Sequence, residues 1–400
     1  MKTTKIILSA FVAAIALVSC NKHEATPDVV NANPNTVEVK INNVFMTKSP
    51  GALLEPGQIQ LNKVNIFLTD GQSVYNTAKN ASGETLEASA YELTSVANTI
   101  SYHFVDPKVT KVVAVANYEF TETISTYAQL QALTLDIAKQ QSEANLALYA
   151  EAQLESAGTQ HIPSATEHEG QLTNLYEANL NLAPKVSRFE LDGFAVKFFA
   201  DETKALYNKV TINQVAFNNY YPTANLSSGI TEGTVVDCKA ESAADAIAYL
   251  TANASSTVSP APWYFEKFTG VVLERPAAMT ADTWVEAEAV PSYYHAFAGT
   301  YTAEQAGYPE LMFQISTEDK NGDVSSTYIY TKSLKDANGT AITTFEPGKI
   351  YRMNFSASVE SDNGEGDVPI EEDDIKQLGR CLDITVTVAD WSVVLVTPEF

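Results

Sequence analysis

The sequence predicts a mainly β protein: two antiparallel β-sandwich domains in tandem, with a short helical insertion in the first. Three observations carry this. Several segments alternate apolar and polar residues with the period of a half-buried strand. The chain holds 19 Tyr and 17 Phe against 5 Met, a composition that suits pleated surfaces. Its 400 residues, 45% hydrophobic and 18% charged, are enough for two domains with real cores.

The amino terminus reads as an address. Lys2 and Lys5 precede an apolar run, Ile6 to Val18, broken only by Ser9. That run is too short to span a bilayer as a helix and has the form of a secretory h-region. It ends Leu17-Val18-Ser19-Cys20, a small residue followed by Cys, similar to the lipobox at which bacterial lipoproteins are cleaved and lipidated. Removing residues 1–19 deletes two lysines and takes the net charge from −24 to −26. Residues 21–36 are polar and rich in Pro and Asn, as a tether would be.

The strands follow in order. Thr36 to Asn42 alternates, with Val37, Val39 and Ile41 on one face. Lys48-Ser49-Pro50-Gly51 and Glu55-Pro56-Gly57 interrupt. Ile59 to Leu68 reads as one strand that stops at Asp70-Gly71, and Ile100 to Val105 as another. Lys111 to Ala116 has the continuous apolar run of a strand buried on both faces. Residues 121–156 lack Gly and Pro and are rich in Ala, Leu, Gln and Glu. Tyr127, Leu130, Leu133 and Ile137 recur at helical spacing, which predicts one or two helices there, packed as core. Ser156 to Gln171 is polar. A second β-rich block begins near Lys185, with strands over Arg188–Phe199 and Lys209–Phe217. Residues 220–310 read as loops with short elements. Leu311 to Tyr330 is a hairpin turning at Asp319–Asp323. Lys349 to Val359 alternates again, with Ile350, Phe355 and Val359 inward. Glu360 to Asp374 carries eight acidic residues and reads as a solvated loop. Beyond it, Leu382, Ile384, Val386 and Val388 alternate with polar residues. After Ala389-Asp390, Trp391, Val393 and Val396 form a second apolar segment.

Chemistry-bearing motifs are missing. The charge of −24 repels phosphate backbones and argues against nucleic acid as a partner. None of His23, His103, His161, His168 and His295 pairs at i, i+4, and the sequence has no HExxH, GxSxG, P-loop or strand-bound GxGxxG. Asp319-x-Asn321-x-Asp323 lacks the Gly and distal Glu of a calcium loop. The sequence therefore calls for no cofactor, no metal and no enzymatic activity. Cys238 and Cys381 are either a disulfide or two buried thiols.

Taken in order, these features resemble the fimbrial major subunits of Bacteroidales, the type V pilins or fimbrillins. The resemblance covers most of the chain. It rests on Cys20, the early strand at Val37 to Asn42, Lys111-Val-Val-Ala-Val-Ala-Asn117, and the helical segment after Thr126. It continues through Ala183-Pro-Lys-Val-Ser-Arg188, Pro347-Gly-Lys-Ile-Tyr-Arg-Met353, the acidic insertion and Val386-Thr-Val-Ala-Asp-Trp391.

It implies a transthyretin-like fold: a signal peptide at 1–19, a tether and first strand at 20–48 removed as a propeptide, an N-terminal sandwich with helices at 49–183, and a C-terminal sandwich at 184–400 ending in two donor-type strands at 382–398. It implies an outer-membrane lipoprotein precursor, lipidated at Cys20 and anchored through its lipid before processing. A trypsin-like protease then removes the first strand (Val37, Val39, Ile41). Leu382, Ile384, Val386, Val388, Trp391, Val393 and Val396 of another copy fill the groove, building a surface fimbrium for adhesion or biofilm formation together with tip and anchor subunits. Stalk members of the family are cut after Arg, whereas the first Arg here is Arg188 and the matching position is Lys48.

The residues support strand exchange on their own terms. A terminal strand adds backbone hydrogen bonds to any open sheet edge, and a head-to-tail contact that does not close grows a filament. Seven apolar side chains at ~1.5–3 kcal/mol each give on the order of 10–20 kcal/mol gross, against ~4–15 kcal/mol for association. Two other functions stay open at this point. One is a tip or anchor subunit of the same fimbria. The other is a surface glycan-binding lipoprotein presenting Trp263, Tyr264, Tyr293 and Tyr294.

Overall fold

A computed structural model describes residues 33–42, 44–47, 58–94, 99–163, 168, 170–230, 265–267, 271–301, 309–330, 334–336, 338, 340, 342–358, 382–390 and 392–396. From Pro34 onward the chain is one compact unit. It is mainly β, with strands in seven sheets and only short helical turns.

Residues up to 184 build two facing sheets. The first runs in the order β11 (Glu155–His161), β12 (Leu172–Leu180), β1 (Asn35–Ile41), β7 (Thr99–Val105). The second runs β13 (Ala183–Pro184), β10 (Leu148–Gln153), β8 (Lys111–Ala116), β4 (Val64–Thr69), β5 (Val74–Tyr75), with β6 (Glu92–Leu93) also on β4. Val37 and Val39 of the first sheet and Ile66, Leu68, Val113 and Val115 of the second are all buried in one hydrophobic cluster. β8 is central and buried on both faces, as its unbroken apolar run requires.

Residues from 186 build the other pair. One sheet runs β19 (Thr283–Phe297), β14 (Val186–Phe198), β25 (Lys349–Ser358), β26 (Leu382–Asp390), β23 (Lys335–Asp336). Its partner runs β17 (Phe265–Lys267), β15 (Tyr207–Asn218), β21 (Glu310–Asp319), β22 (Val324–Tyr330), with β18 (Val272–Glu274) on β15. Between them Phe189 sits about 5 Å, ring centre to ring centre, from Phe217, Phe345 and Tyr351, and Phe313 lies edge-on to Phe355 at 4.8 Å. Ile350 and Phe355 are buried as expected, while Val359 lies outside the described residues. Three small sheets complete the fold: β16 (Thr223–Asn225) with β9 (Thr134–Asp136), β20 (Gly299–Thr300) with β24 (Thr344–Phe345), and β2 (Val44–Thr47), β27 (Ser392–Val396) and β3 (Gln58–Leu61) side by side.

Three expectations need correction. The helical segment shrinks to α1 (Tyr127–Gln131) and a 3-10 turn at Ile137–Gln140. Thr126 and Gln129 close a capping box on α1. Leu130 and Ile137 are buried as anticipated, but 148–153 and 155–161 are strands, because the ladders of β10 on β8 and β11 on β12 outweigh the high helix propensity of Ala, Leu and Glu, which is worth only tenths of a kcal/mol per residue. Ile59–Leu68 is two strands in different sheets. Asn117, in the left-handed region at φ 53°, accepts the Asn62 N–H at 2.9 Å and donates to the carbonyls of Gln60 at 2.6 Å and Leu146 at 3.0 Å, so it pins the corner between them. The stretch 220–310 hides the long strand β19. Pro291 masks it in sequence, yet sits where the β14–β19 register slips, so its missing N–H costs no ladder bond.

Candidate strand-exchange site

β1 is an interior strand. It pairs in parallel with β12 (Val37↔Tyr176, Val39↔Ala178, Ile41↔Leu180) and antiparallel with β7 (Val37↔Tyr102, Val39↔Ile100). Val37, Val39 and Ile41 are buried and face the core, while Glu38 and Lys40 are half-exposed, Lys40 pairing with Glu177 at 2.9 Å. Taking β1 away would leave two unpaired edges, on β12 and β7, above an apolar floor.

The slot has a polar register pin. Opposite the Asn35–Thr36 step β7 carries one extra residue, Phe104, in the left-handed region at φ 55°, and Thr36 is fully buried next to Val37. Thr36 Oγ1 lies 3.0 Å from His103 Nδ1 on β7 and donates to Thr173 Oγ1 on β12 at 3.1 Å, and Thr173 donates to the Gln160 carbonyl on β11 at 3.3 Å. Each hydroxyl has one proton, so Thr36 accepts from His103 Nδ1–H and the donors run one way across all four strands. Burial pushes the His103 imidazole below its ordinary pKa, against a weaker upward pull from Glu38. Sequence reading missed this trio. Alternation marks one apolar face and gives no sign that Thr36, the neighbour of Val37, is buried against polar partners on β7 and β12.

The C-terminal strands take different partners. β26 pairs antiparallel with β25 along its length: Leu382↔Ala357, Ile384↔Phe355, Val386↔Met353, Val388↔Tyr351. β27 does not fold back on β26. It lies parallel between β2 (Val393↔Val44, Val396↔Thr47) and β3 (Val393↔Ile59, Leu395↔Leu61). Cys20, Lys48, Cys238, Trp263, Tyr264, Cys381 and Trp391 lie outside the described residues. Tyr293 and Tyr294 do not form an exposed aromatic face. Tyr293 lies under the Arg188 guanidinium at 3.8 Å and donates to Glu143 at 2.9 Å, and Tyr294 is buried against Phe217.

A dense polar junction ties the segment after the 3-10 turn to β14 and β19. Arg188 pairs with Glu143 and, at 2.6 Å, with Glu190, which also receives Arg352 at 2.8 Å. Gln141 bonds the His295 backbone at both its carbonyl (2.9 Å) and N–H (3.1 Å), and His295 Nδ1 donates to the Gln140 carbonyl at 2.6 Å. Full burial pushes the His295 imidazole down to about 3. A separate cleft of about 330 Å³ is lined by Gln131, Tyr149, Glu151, Lys185, Ser227 and Ser228. In it burial raises the Glu151 carboxyl, but hydrogen bonds from Tyr149 (2.7 Å) and Tyr127 (2.8 Å) and the Lys111 ammonium at 3.3 Å together outweigh this and hold it low. His161 contacts the Gly170 carbonyl at 2.8 Å, and His168 contacts Gln171 at 3.1 Å and the Phe104 ring. The Asp319 turn is closed by its carboxylate accepting from the N–H groups of Asn321 and Asp323 at 2.8 and 2.9 Å, the arrangement of a tight turn. Among the described residues no group of three or more His, Cys, Asp or Glu is arranged to hold a metal.

Solved structures share this architecture. The chain superposes on a fimbrilin of Porphyromonas gingivalis W83 with a TM-score of 0.51 at 13% identity, over 90% of this chain and 99% of that one. This chain has the fimbrilin fold. A candidate cell-adhesion protein of Bacteroides eggerthii DSM 20697 matches equally, with a TM-score of 0.51 at 14% identity, over 92% and 98%. No protein-family model and no curated protein matches by sequence.

Proposed function

We propose that this chain is a structural, non-enzymatic subunit of a bacterial surface fimbrium, polymerised by protease-triggered strand exchange and serving adhesion or biofilm formation. The observation that carries it is the position of β1. It is a short strand near the amino terminus, interior to its sheet, and among the described residues β2 is the one element that stands in sequence between it and Lys48. In this reading the protein is exported as a lipoprotein, lipidated at Cys20 and held at the outer membrane. A trypsin-like protease cuts after Lys48, the fragment carrying β1 leaves, and residues 382–396 of another copy supply the replacement strand. In this reading the N-terminal domain ends at residue 183 and the C-terminal domain begins at 184, within the two-residue strand β13.

Tip and anchor roles belong to the same system. An anchor would keep its lipid, and the regular strand pattern at 382–396 argues against a tip. The glycan-binding reading loses Tyr293 and Tyr294, both engaged in packing. Gel electrophoresis of unboiled surface material tests the proposal, alongside Lys48→Ala and a deletion of residues 382–400. A ladder in the wild type that collapses in both variants supports it. A single monomer band in all three refutes the stalk role.

A further inference from the structure

The small sheet of β2, β27 and β3 has no place in the exchange scheme as it stands. A donor strand should be available at the end of the chain, yet here the last strand is paired on both sides by strands from the amino-terminal half. The two walls around it differ. β3 is fixed. Its Gln60 donates its N–H to the Glu143 carbonyl at 3.0 Å, and its carbonyl accepts from Asn117 Nδ2 at 2.6 Å, so the edge formed by Ile59 and Leu61 is left to pair with β27. Ile59 and Leu61 are themselves buried in the core. β2 lies on the other side of the proposed cut: Thr47 immediately precedes Lys48, and β3 begins only at Gln58.

We propose that the space between β2 and β3 is a berth for this chain's own terminal strand, one wall of which is removed by the same cut that empties the β1 slot. The occupant is β27, Ser392–Val396. The inference rests on the strand-exchange reading and adds how donor and acceptor are licensed together. Before the cut the slot holds β1 and the tail is caged, so neither end of the molecule can join a fibre. After the cut β1 and β2 leave as one fragment. The slot opens, and β27 keeps a single four-residue parallel ladder on β3. A short parallel strand paired on one side is a weak holding site. The vacated slot of another copy offers more, pairing on both sides, in parallel with β12 and antiparallel with β7. The tail is therefore released toward a better-paired site.

Hydrogen exchange tests this on the full chain. A recognition sequence for a site-specific protease is placed either after Asn43, ahead of β2, or after Lys48, behind it, and the severed fragment is removed. The amides of 392–396 are expected to exchange slowly in the intact chain and in the chain cut ahead of β2. They are expected to exchange about tenfold or more faster in the chain cut behind β2. Fast exchange in the intact chain, or equal rates in the two cut chains, overturns the berth. A labelled peptide of residues 382–400 is added to the chain cut behind β2 as the second arm. Peptide binding with unchanged tail exchange overturns the berth and leaves strand exchange standing. Tail release without peptide binding supports the berth and refutes strand exchange.

Discussion

Replacing Thr36 by Val keeps the shape of the side chain and removes its hydroxyl. His103 Nδ1–H then loses its acceptor, and Thr173 loses the proton it received at 3.1 Å while keeping its own bond to Gln160. Thr36 is fully buried and His103 nearly so, so water cannot step in. A buried donor stripped of its partner costs ~1–3 kcal/mol, and the added methyl returns up to ~0.8 kcal/mol. The net is about 1–2 kcal/mol against keeping β1 in its slot. That raises the fraction with β1 undocked by roughly 5- to 30-fold. Hydrogen exchange of residues 35–41 reads this directly, because local opening of β1 exposes those amides while the rest of the fold stays closed. Thr36→Ser restores the hydroxyl and should return exchange close to the wild-type rate. Thr36→Val exchanging like the wild type would refute the pin. So would Thr36→Ser exchanging as fast as Thr36→Val, because the hydroxyl would then not be what holds the strand.

Both buried histidines predict loss of stability in acid. Their folded pKa values lie below the ordinary 6.5, His295 at about 3, so the unfolded chain takes up protons first as pH falls. Their effect is nil above pH 6.5 and becomes destabilising as pH drops from 6.5 toward 3; in urea titrations His295→Asn, which keeps a donor for the Gln140 carbonyl, should flatten the part of that decline between 6.5 and the carboxylate range. Asn117→Ala loses the bonds to Asn62, Gln60 and Leu146 and places an Ala at φ 53°, so unfolding should become about 2–4 kcal/mol easier by denaturant titration, with Asn117→Gly recovering only the conformational part. Glu143→Ala removes one of the carboxylates around Arg188 and the acceptor of Tyr293, and because Glu190 remains, the cost should be about 1–3 kcal/mol. If the compact unit unfolds cooperatively, probes on β8 and on β14 should lose that stability together.

Much of the fold was legible because burial imposes period two wherever a strand has one wet face. β1, β7, β8, β14, β15, the β21–β22 hairpin and β25 all follow from alternation or from an unbroken apolar run. What failed was whatever depends on distant partners. Leu130 and Ile137 fit a helical stripe equally well when they come from a short helix and a 3-10 turn separated by the strand β9. β19 was hidden by Pro291, harmless only because the opposing register slips at Leu191–Gly193. The Thr36–His103–Thr173 pin joins residues 67 and 137 positions apart, and no local signal marks it.

The terminal strands show the same limit in a form that bears on function. Alternation at Leu382–Val388 predicts a strand, and β26 is one. Alternation says nothing about the partner, because backbone ladders are nearly indifferent to sequence. β26 takes the most local option, antiparallel on β25, while β27, one residue further on, crosses to β2 and β3. The residue between them, Trp391, separates a nine-residue ladder from two four-residue ones. β26 is held by a nine-residue ladder and β27 by two four-residue ones, so β27 is the part of the donor segment that leaves first. The indifference that makes the destination of β27 unreadable from sequence is the same property that lets one segment serve first its own chain and then another.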